Sequence, residues 1–206
     1  MRIEDSLAVE WFRRSPLEAL VVDYYVSPRT NYRAWKASAF CTSLYQWKLK
    51  PDLRFTEEAA DRLEAAVREY FPRGAFDGVT CPPAGPHRIK SGWYPAGELA
   101  KAVGLRLDLD TVTVFTREGY GLSHATGRGA AGAASRAKRA HFDQLRPDVG
   151  LDGMKLLLLD YVLLTGQSLH RLYELLTEAG AEVRCAVLAG TVRKREVSRS
   201  FPKQGA

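Results

Sequence analysis

The stretch KLLLLD, residues 155–160, decides the fold of this chain. Four consecutive leucines leave no polar face, so the run is typical of a parallel strand that helices bury on both sides, and it ends in Asp160. Residues 161–167 predict a turn, and from Ser168 apolar residues recur at helical spacing until Gly180. Residues 183–188 predict the next strand. The segment therefore predicts a βαβ unit and an α/β fold with a parallel sheet.

The preceding residues alternate between strand and helix patterns, as an α/β domain requires. Residues 17–25 predict a short strand or the end of a helix, and residues 56–71 predict a helix whose N-cap is its first residue, Thr56. Residues 76–81 predict a strand that two prolines close. Residues 95–103 predict a helix that ends at the following glycine, Gly104.

The composition is that of a soluble globular protein with a basic surface. The chain has 206 residues, of which 46% are hydrophobic and 26% charged, and this suits one domain with extensions. Thirty Lys and Arg against 24 Asp and Glu give a net charge of +6 and a pI of about 9.3. Such a balance favours anionic partners, but it does not distinguish a phosphorylated metabolite from a nucleic acid or an acidic protein. It is also compatible with a basic surface that has no special partner.

Other classes of protein are disfavoured by what the sequence lacks. The three cysteines are far apart and have no CxxC spacing, which argues against a zinc site or a disulfide framework. No run of 18 apolar residues predicts a membrane span, and the first residues carry acids where a signal peptide needs an apolar run. We therefore expect a cytoplasmic protein without a membrane partner.

Two basic segments allow alternative interpretations. Residues 29–50 interleave aromatic and basic side chains, a pattern that suits either base stacking on single-stranded nucleic acid or, with more weight, a helix that packs its aromatics against the core. Residues 117–139 are rich in Gly, Ala and Arg and lack apolar periodicity, so they predict a long mobile basic loop.

The turn between the leucine strand and its helix has the residues of a phosphate-binding site. Gly166 permits tight backbone geometry, and backbone N–H groups at the start of the helix point toward an oxyanion that the helix dipole favours. The hydroxyls of Thr165 and Ser168 add donors. The alternative is that Ser or Thr here only caps the helix.

These motifs resemble the type I phosphoribosyltransferases, and in particular their ComF-like branch, which is named for competence proteins. The resemblance covers roughly residues 44–190. It consists of a Lys-containing helix (LYQWKLKPD, 44–52), a strand followed by a proline loop and a helix (CPPAGPHRIKSGWYPAGELAKAVG, 81–104), the glycine-rich stretch 117–139 and the motif LLLLDYVLLTGQSL (156–169). The last motif is the specific one and is similar to the family's site for phosphoribosyl pyrophosphate (PRPP).

The resemblance implies a role for individual positions. Asp160 matches a catalytic acid, and Asp160 and Tyr161 occupy the ribose-binding positions. The loop for the 5-phosphate is matched by Leu164, Thr165, Gly166, Gln167 and Ser168. The pyrophosphate would be bound by Pro83, Ala84, Gly85, Arg88 and Lys90. Mg²⁺ would arrive with PRPP, held by pyrophosphate, hydroxyl and water oxygens, without direct ligation by a protein side chain.

Three positions depart from the family pattern. Tyr161 occupies the place of the family's second acid, and Leu164 occupies the place of its first Thr. Ser91 occupies the place of an Arg in the basic loop, and the neighbouring Lys90 could compensate for that change. The missing acid removes a charge-assisted hydrogen bond worth about 1.5–3 kcal/mol. Phosphate binding through backbone amides should survive this change better than catalysis does.

The implied fold has helices on both faces of a parallel sheet and an N-terminal extension or hood. By these patterns residues 1–55 form the extension, 56–190 the core and 191–206 a basic tail. The implied function is transfer of ribose 5-phosphate from PRPP to a nitrogenous acceptor with release of pyrophosphate. The alternative is a module that binds PRPP, a nucleotide monophosphate or single-stranded DNA with little or no catalysis, and a homodimer is left open.

Overall fold

The computed structural model describes residues 10–14, 17–117, 143–145, 149–164 and 166–191. Strands among these residues are β1 (Glu10–Arg14), β2 (Leu17–Tyr25), β3 (Gly78–Thr80), β4 (Asp110–Thr111), β5 (Phe115–Arg117), β6 (Asp143–Leu145), β7 (Lys155–Leu163) and β8 (Glu182–Thr191). Helices are α1 (Tyr32–Ala37), α2 (Ala39–Leu49), α3 (Leu53–Tyr70), α4 (Pro86–Ser91), α5 (Pro95–Leu107) and α6 (Gln167–Glu178).

The main sheet has the strand order β1-β2-β8-β7-β3-β4. Its five strands from β2 to β4 run parallel, and β1 pairs antiparallel with β2 at one edge. Strands β5 and β6 form a separate antiparallel ribbon. The predicted α/β fold with a parallel sheet is thus confirmed, and β2, from the segment assigned to an N-terminal extension, is one of the interior strands.

The leucines of β7 serve two separate cores because successive side chains of a strand point to opposite faces. Leu157 and Leu159 lie in the core that α2, α3 and α5 cover. Leu156 and Leu158 lie in the other core, beneath α6. All four are fully buried, so the prediction of a strand with helices on both faces is confirmed.

Loss of one of these side chains should destabilise the protein strongly. We expect Leu158→Ala to lower the free energy of unfolding by about 2–5 kcal/mol, because it leaves a cavity between β7 and α6. Leu105→Ala is the matched control, since Leu105 is 84% exposed and its truncation should change stability by less than about 0.5 kcal/mol. Urea unfolding of both variants tests this expectation, and equal losses would contradict it.

Two predicted helix ends are wrong. Helix α3 begins at Leu53 with Asp52 as its N-cap, so Thr56 lies inside the first turns, where its hydroxyl donates to the carbonyl oxygen of Asp52 (2.9 Å). Helix α5 continues past Gly104 to Leu107. A β-carbon at Gly104 would lie 2.8 Å from the Leu109 carbonyl oxygen, so this glycine permits close packing and does not end the helix.

The leucine strand is longer than predicted. Strand β7 runs to Leu163, so Asp160 lies within the strand and the predicted turn at 161–167 is shortened at its start. Pairing with β8 continues through Val162 opposite Ala189. The β-forming side chains after Asp160 favour continuation of the hydrogen bonding between β7 and β8. The prediction was wrong because it ended the strand at the first acidic residue.

The aromatic segment 29–50 forms α1 and α2 and packs most of its rings inward. Trp47 is fully buried, and Trp35 and Phe40 pack against the same core, which confirms the packing interpretation for these three residues. Tyr32 remains 57% exposed. Most of the predicted mobile loop (118–139) and of the basic tail (192–206) lies outside the described residues, so their order stays a prediction.

Candidate functional site

The carboxyl ends of β3 and β7 bring the proline loop beside the predicted acid. Thr80, the last residue of β3, pairs with Leu158 of the parallel strand β7. The chain after Thr80 therefore leaves the sheet next to Asp160. This edge is where open α/β sheets bind their ligands.

The turn after β7 has the geometry of an open helix N-terminus. Gly166 adopts the left-handed conformation (φ 78°) as N-cap of α6, and its carbonyl oxygen accepts the first helical hydrogen bond from the His170 N–H (2.8 Å). Gly166 has no side chain, so the N-cap itself makes no side-chain hydrogen bond to the first-turn N–H groups. Thr191 at the end of β8 secures the turn by donating its hydroxyl to the carbonyl oxygens of Leu163 (3.1 Å) and Leu164 (3.2 Å).

The other predicted phosphate-loop residues differ in how far the structure describes them. Leu164 is 53% exposed and Ser168 is also exposed, both at this turn. Thr165 and the side chain of Gln167 lie outside the described residues. The predicted cradle therefore rests on Gly166 and the backbone of α6, and its binding of phosphate stays a prediction.

Asp160 is partly buried at the sheet edge. One of its carboxylate oxygens accepts a hydrogen bond from the Tyr161 N–H (2.7 Å). Burial raises its pKa to about 6, although this hydrogen bond and the charge of Lys48 both act to lower it. The carboxylate is thus ionised near neutral pH but costs free energy in that form.

Tyr161, at the position of the family's second acid, is held by three neighbours. Its ring meets the Trp47 ring edge to face with centroids 5.7 Å apart, and the Lys48 Nζ lies 5.7 Å from its centroid. The third neighbour is Arg88, whose charge acts to lower the pKa of the Tyr161 hydroxyl. Burial, with the nearby Asp160 carboxylate, raises the pKa of Tyr161 to about 12, so its hydroxyl stays neutral.

The predicted pyrophosphate residues divide into a backbone group and two different cations. Pro83 and Ala84 are half-buried and Gly85 is buried, immediately before the short helix α4. Arg88 turns toward the site and donates to the Lys48 carbonyl oxygen. Lys90 is exposed. The structure therefore brings Arg88 to Lys48 and near Tyr161, whereas it shows no partner for Lys90 among the described residues.

A family model described as a phosphoribosyl transferase domain matches residues 89–206, more than half of the chain. The chain belongs to this family. The phosphoribosyltransferase family expected from the PRPP motif is thereby confirmed. No curated protein matches the chain.

Solved phosphoribosyltransferases resemble this chain only distantly. The allosteric regulatory enzyme of purine biosynthesis is 15% identical (TM-score 0.43, 64% of this chain and 25% of that one). UMP synthase of Leishmania donovani is 19% identical (0.40, 71% and 24%), and a purine phosphoribosyltransferase of Pyrococcus horikoshii is 14% identical (0.38, 73% and 93%). The chain thus spans about a quarter of the length of the first two.

Two residues of this candidate site were not assigned from the sequence. Lys48 and Trp47 reach Tyr161 from α2, far earlier in the chain. The Lys-containing helix was part of the family resemblance, but no spacing rule places a helix residue beside an acid more than a hundred positions later. Only the packing of Trp47 in the core fixes that approach.

The site offers little for direct coordination of a metal. Among the described residues, no three His, Cys, Asp or Glu side chains are grouped closely enough to hold a metal ion. Asp160 supplies a single carboxylate at this edge of the sheet. That donor set fits Mg²⁺ carried on substrate phosphates, since Mg²⁺ is commonly bound by one or two carboxylates together with phosphate oxygens and water.

None of the described helices is long and apolar enough to cross a membrane.

Proposed function

We propose that the chain binds PRPP and transfers its ribose 5-phosphate group to a nitrogenous acceptor with release of pyrophosphate. The observation that carries the proposal is the β7–α6 crossover, where Asp160 near the end of a buried strand precedes the left-handed Gly166 at an open helix N-terminus. Membership of the phosphoribosyltransferase family supports the same assignment. The acceptor base is left open.

Each part of the site has a distinct role in this reaction. The first-turn amides of α6 bind the 5-phosphate, and Asp160 accepts a hydrogen bond from a ribose hydroxyl. Residues 83–85 with Arg88 and Lys90 bind the pyrophosphate. The bond from ribose C1 to the pyrophosphate oxygen breaks and a bond from C1 to the acceptor nitrogen forms, while the pyrophosphate leaves with the bonding electrons.

Positioning and electrostatic stabilisation supply the catalysis. The transition state carries positive charge on the ribose ring, and the Asp160 carboxylate stabilises that charge. When bound with PRPP, Mg²⁺ neutralises charge on the departing pyrophosphate. No covalent nucleophile is required.

A second candidate function is binding of PRPP or a nucleotide monophosphate with little or no transfer. The position of the second acid is filled by Tyr161, whose ring packs on Trp47. That arrangement removes one negative charge from the site while it leaves the backbone amides of the turn unchanged. This observation favours binding over catalysis.

Calorimetric titration with Mg²⁺ and PRPP, followed by a pyrophosphate-release assay over a panel of bases, tests the proposal. We expect saturable binding of PRPP, because neither Leu164 nor Tyr161 alters the amides of α6. Release of pyrophosphate with one of the bases identifies the enzyme, and binding without release identifies the second function. Absence of PRPP binding would contradict the transfer reaction and the assignment of the site.

Several finer predictions accompany this proposal. Membership of the ComF-like branch is supported by Lys48 of α2 and the loop after Thr80, which meet at the same sheet edge as Asp160. A cytoplasmic location and a homodimer rest on sequence alone. Single-stranded nucleic acid as a partner predicts binding that weakens steeply with salt.

A further inference from the structure

Lys48 and Arg88 form a pair of cations around Tyr161. The Lys48 Nζ lies over the tyrosine ring, and the Arg88 side chain donates a hydrogen bond to the Lys48 backbone carbonyl oxygen. The charge of Arg88 also acts on the tyrosine hydroxyl. The two residues come from α2 and α4, so the fold brings them together at the end of β7. Lys48 also lies within reach of the charge of Asp160, and the two side chains influence each other's pKa.

The positive charge of this pair is not balanced within the described part of the chain. Both side chains are half-buried, and no ion pair to either is found among the described residues. Asp160 offers one negative charge to two positive ones. Half-buried cations without a full set of counter-charges are costly, and burial together with Arg88 lowers the pKa of Lys48. An anion bound between them would remove this cost.

The position of Lys48 is fixed by its neighbour in the sequence. Trp47 is fully buried, its indole N–H donates to the Thr56 hydroxyl (2.8 Å), and its carbonyl oxygen accepts from the Trp93 indole N–H (2.6 Å). These contacts anchor the last turn of α2 to α3 and to the residues before α5. Lys48 is therefore held at the site by the core and is not an arbitrary surface lysine.

We propose that Lys48 is a substrate-binding residue that, together with Arg88, binds the pyrophosphate group of PRPP. This inference rests on the proposed function, and it adds a residue that precedes the segment matched by the family model. Pyrophosphate has the charge and the number of acceptor oxygens to engage both cations at once. Asp160 lies beside them on the ribose side.

Titrations with two separate probes test the proposal, namely ribose 5-phosphate for the turn and inorganic pyrophosphate with Mg²⁺ for the cation pair. We expect Lys48→Met to weaken pyrophosphate binding by about 10–100-fold, the effect of losing one charged hydrogen bond, and to leave ribose 5-phosphate binding unchanged. Methionine keeps most of the apolar stem, so the packing of α2 should persist. Lys48→Arg should restore most of the pyrophosphate affinity.

Lys50→Met is the matched control, because Lys50 caps the same helix but is exposed. It should bind both probes as the unaltered protein does. Unchanged pyrophosphate affinity in Lys48→Met, with both probes bound by the unaltered protein, would overturn this inference alone. If the unaltered protein binds neither probe, the proposed function itself fails. If Lys48→Met weakened binding of both probes equally, Lys48 would have a purely structural role and the inference would be overturned.

Discussion

Asp160→Asn is expected to reduce pyrophosphate release by about 100-fold or more and, at the same time, to make the protein more stable at pH 8. Activity falls because asparagine cannot stabilise positive charge on the ribose. Stability rises because a carboxylate that is costly to ionise is replaced by a neutral amide of the same shape. The amide oxygen can still accept the hydrogen bond from the Tyr161 N–H.

The gain in stability should depend on pH in a defined way. Burial raises the pKa of Asp160 in the folded protein from 3.8 to about 6, so the folded state binds the proton more tightly than the unfolded state. As pH rises from about 4 to above 6, the free energy of unfolding of the unaltered protein therefore falls by roughly 2–3 kcal/mol, whereas that of the asparagine variant does not. Above pH 7 the variant should melt roughly 5–10 °C higher, and below pH 4 the difference should vanish.

Thermal melts of both proteins from pH 4 to pH 8 measure this difference. Asp152→Asn is the control, because Asp152 is exposed and its replacement should leave both the melting temperature and pyrophosphate release nearly unchanged. The quantity to compare is the difference in melting temperature between Asp160→Asn and the unaltered protein. If this difference were the same at pH 8 as at pH 4, ionisation of Asp160 would not destabilise the folded state.

Gly166→Ala should weaken binding of ribose 5-phosphate by about 10–100-fold. Gly166 has φ of 78°, a conformation that costs an alanine about 1–2 kcal/mol. In the proposed site, an added methyl group would also hinder the close approach of a phosphate to the backbone at the start of α6. Both effects act on the turn, so binding of pyrophosphate alone should change much less. Calorimetric titration with the two anions measures the contrast.

Gly74→Ala separates backbone strain from ligand binding. Gly74 has nearly the same conformation (φ 75°), and a β-carbon there would meet no atom within 4 Å. Both variants should lose about the same free energy of unfolding, whereas only the Gly166 variant should lose affinity for ribose 5-phosphate. Equal affinities in the two variants would mean that the phosphate binds elsewhere.

Local pattern was enough to predict the main elements of the fold. The four leucines of β7 and the apolar stripe of α6 depend on burial, which periodicity reports directly. Helix ends were less predictable, as the continuation of α5 past Gly104 illustrates. A glycine that permits close packing and one that ends a helix look alike in the sequence, and only the neighbouring Leu109 carbonyl distinguishes them.

The candidate site was predictable where it is continuous in the chain and unpredictable where it is assembled from distant segments. The residues from Asp160 to Ser168 form one motif, and Gly166 has the left-handed backbone that the motif needs. Lys48 reaches the site only because Trp47 is buried against Tyr161 and Trp93. Such a contact depends on tertiary packing, for which a single sequence holds no local signal.

The antiparallel strand β1 has a consequence for how the protein behaves at high concentration. An unpaired outer strand exposes a row of backbone donors and acceptors on which another polypeptide can add. Here β1 pairs with the long strand β2, and at the opposite margin β4 contributes only two residues. Among the described residues the outer strands β1 and β4 have only five and two residues, so neither is a long template for self-association, which should help the protein remain dispersed in a crowded solution.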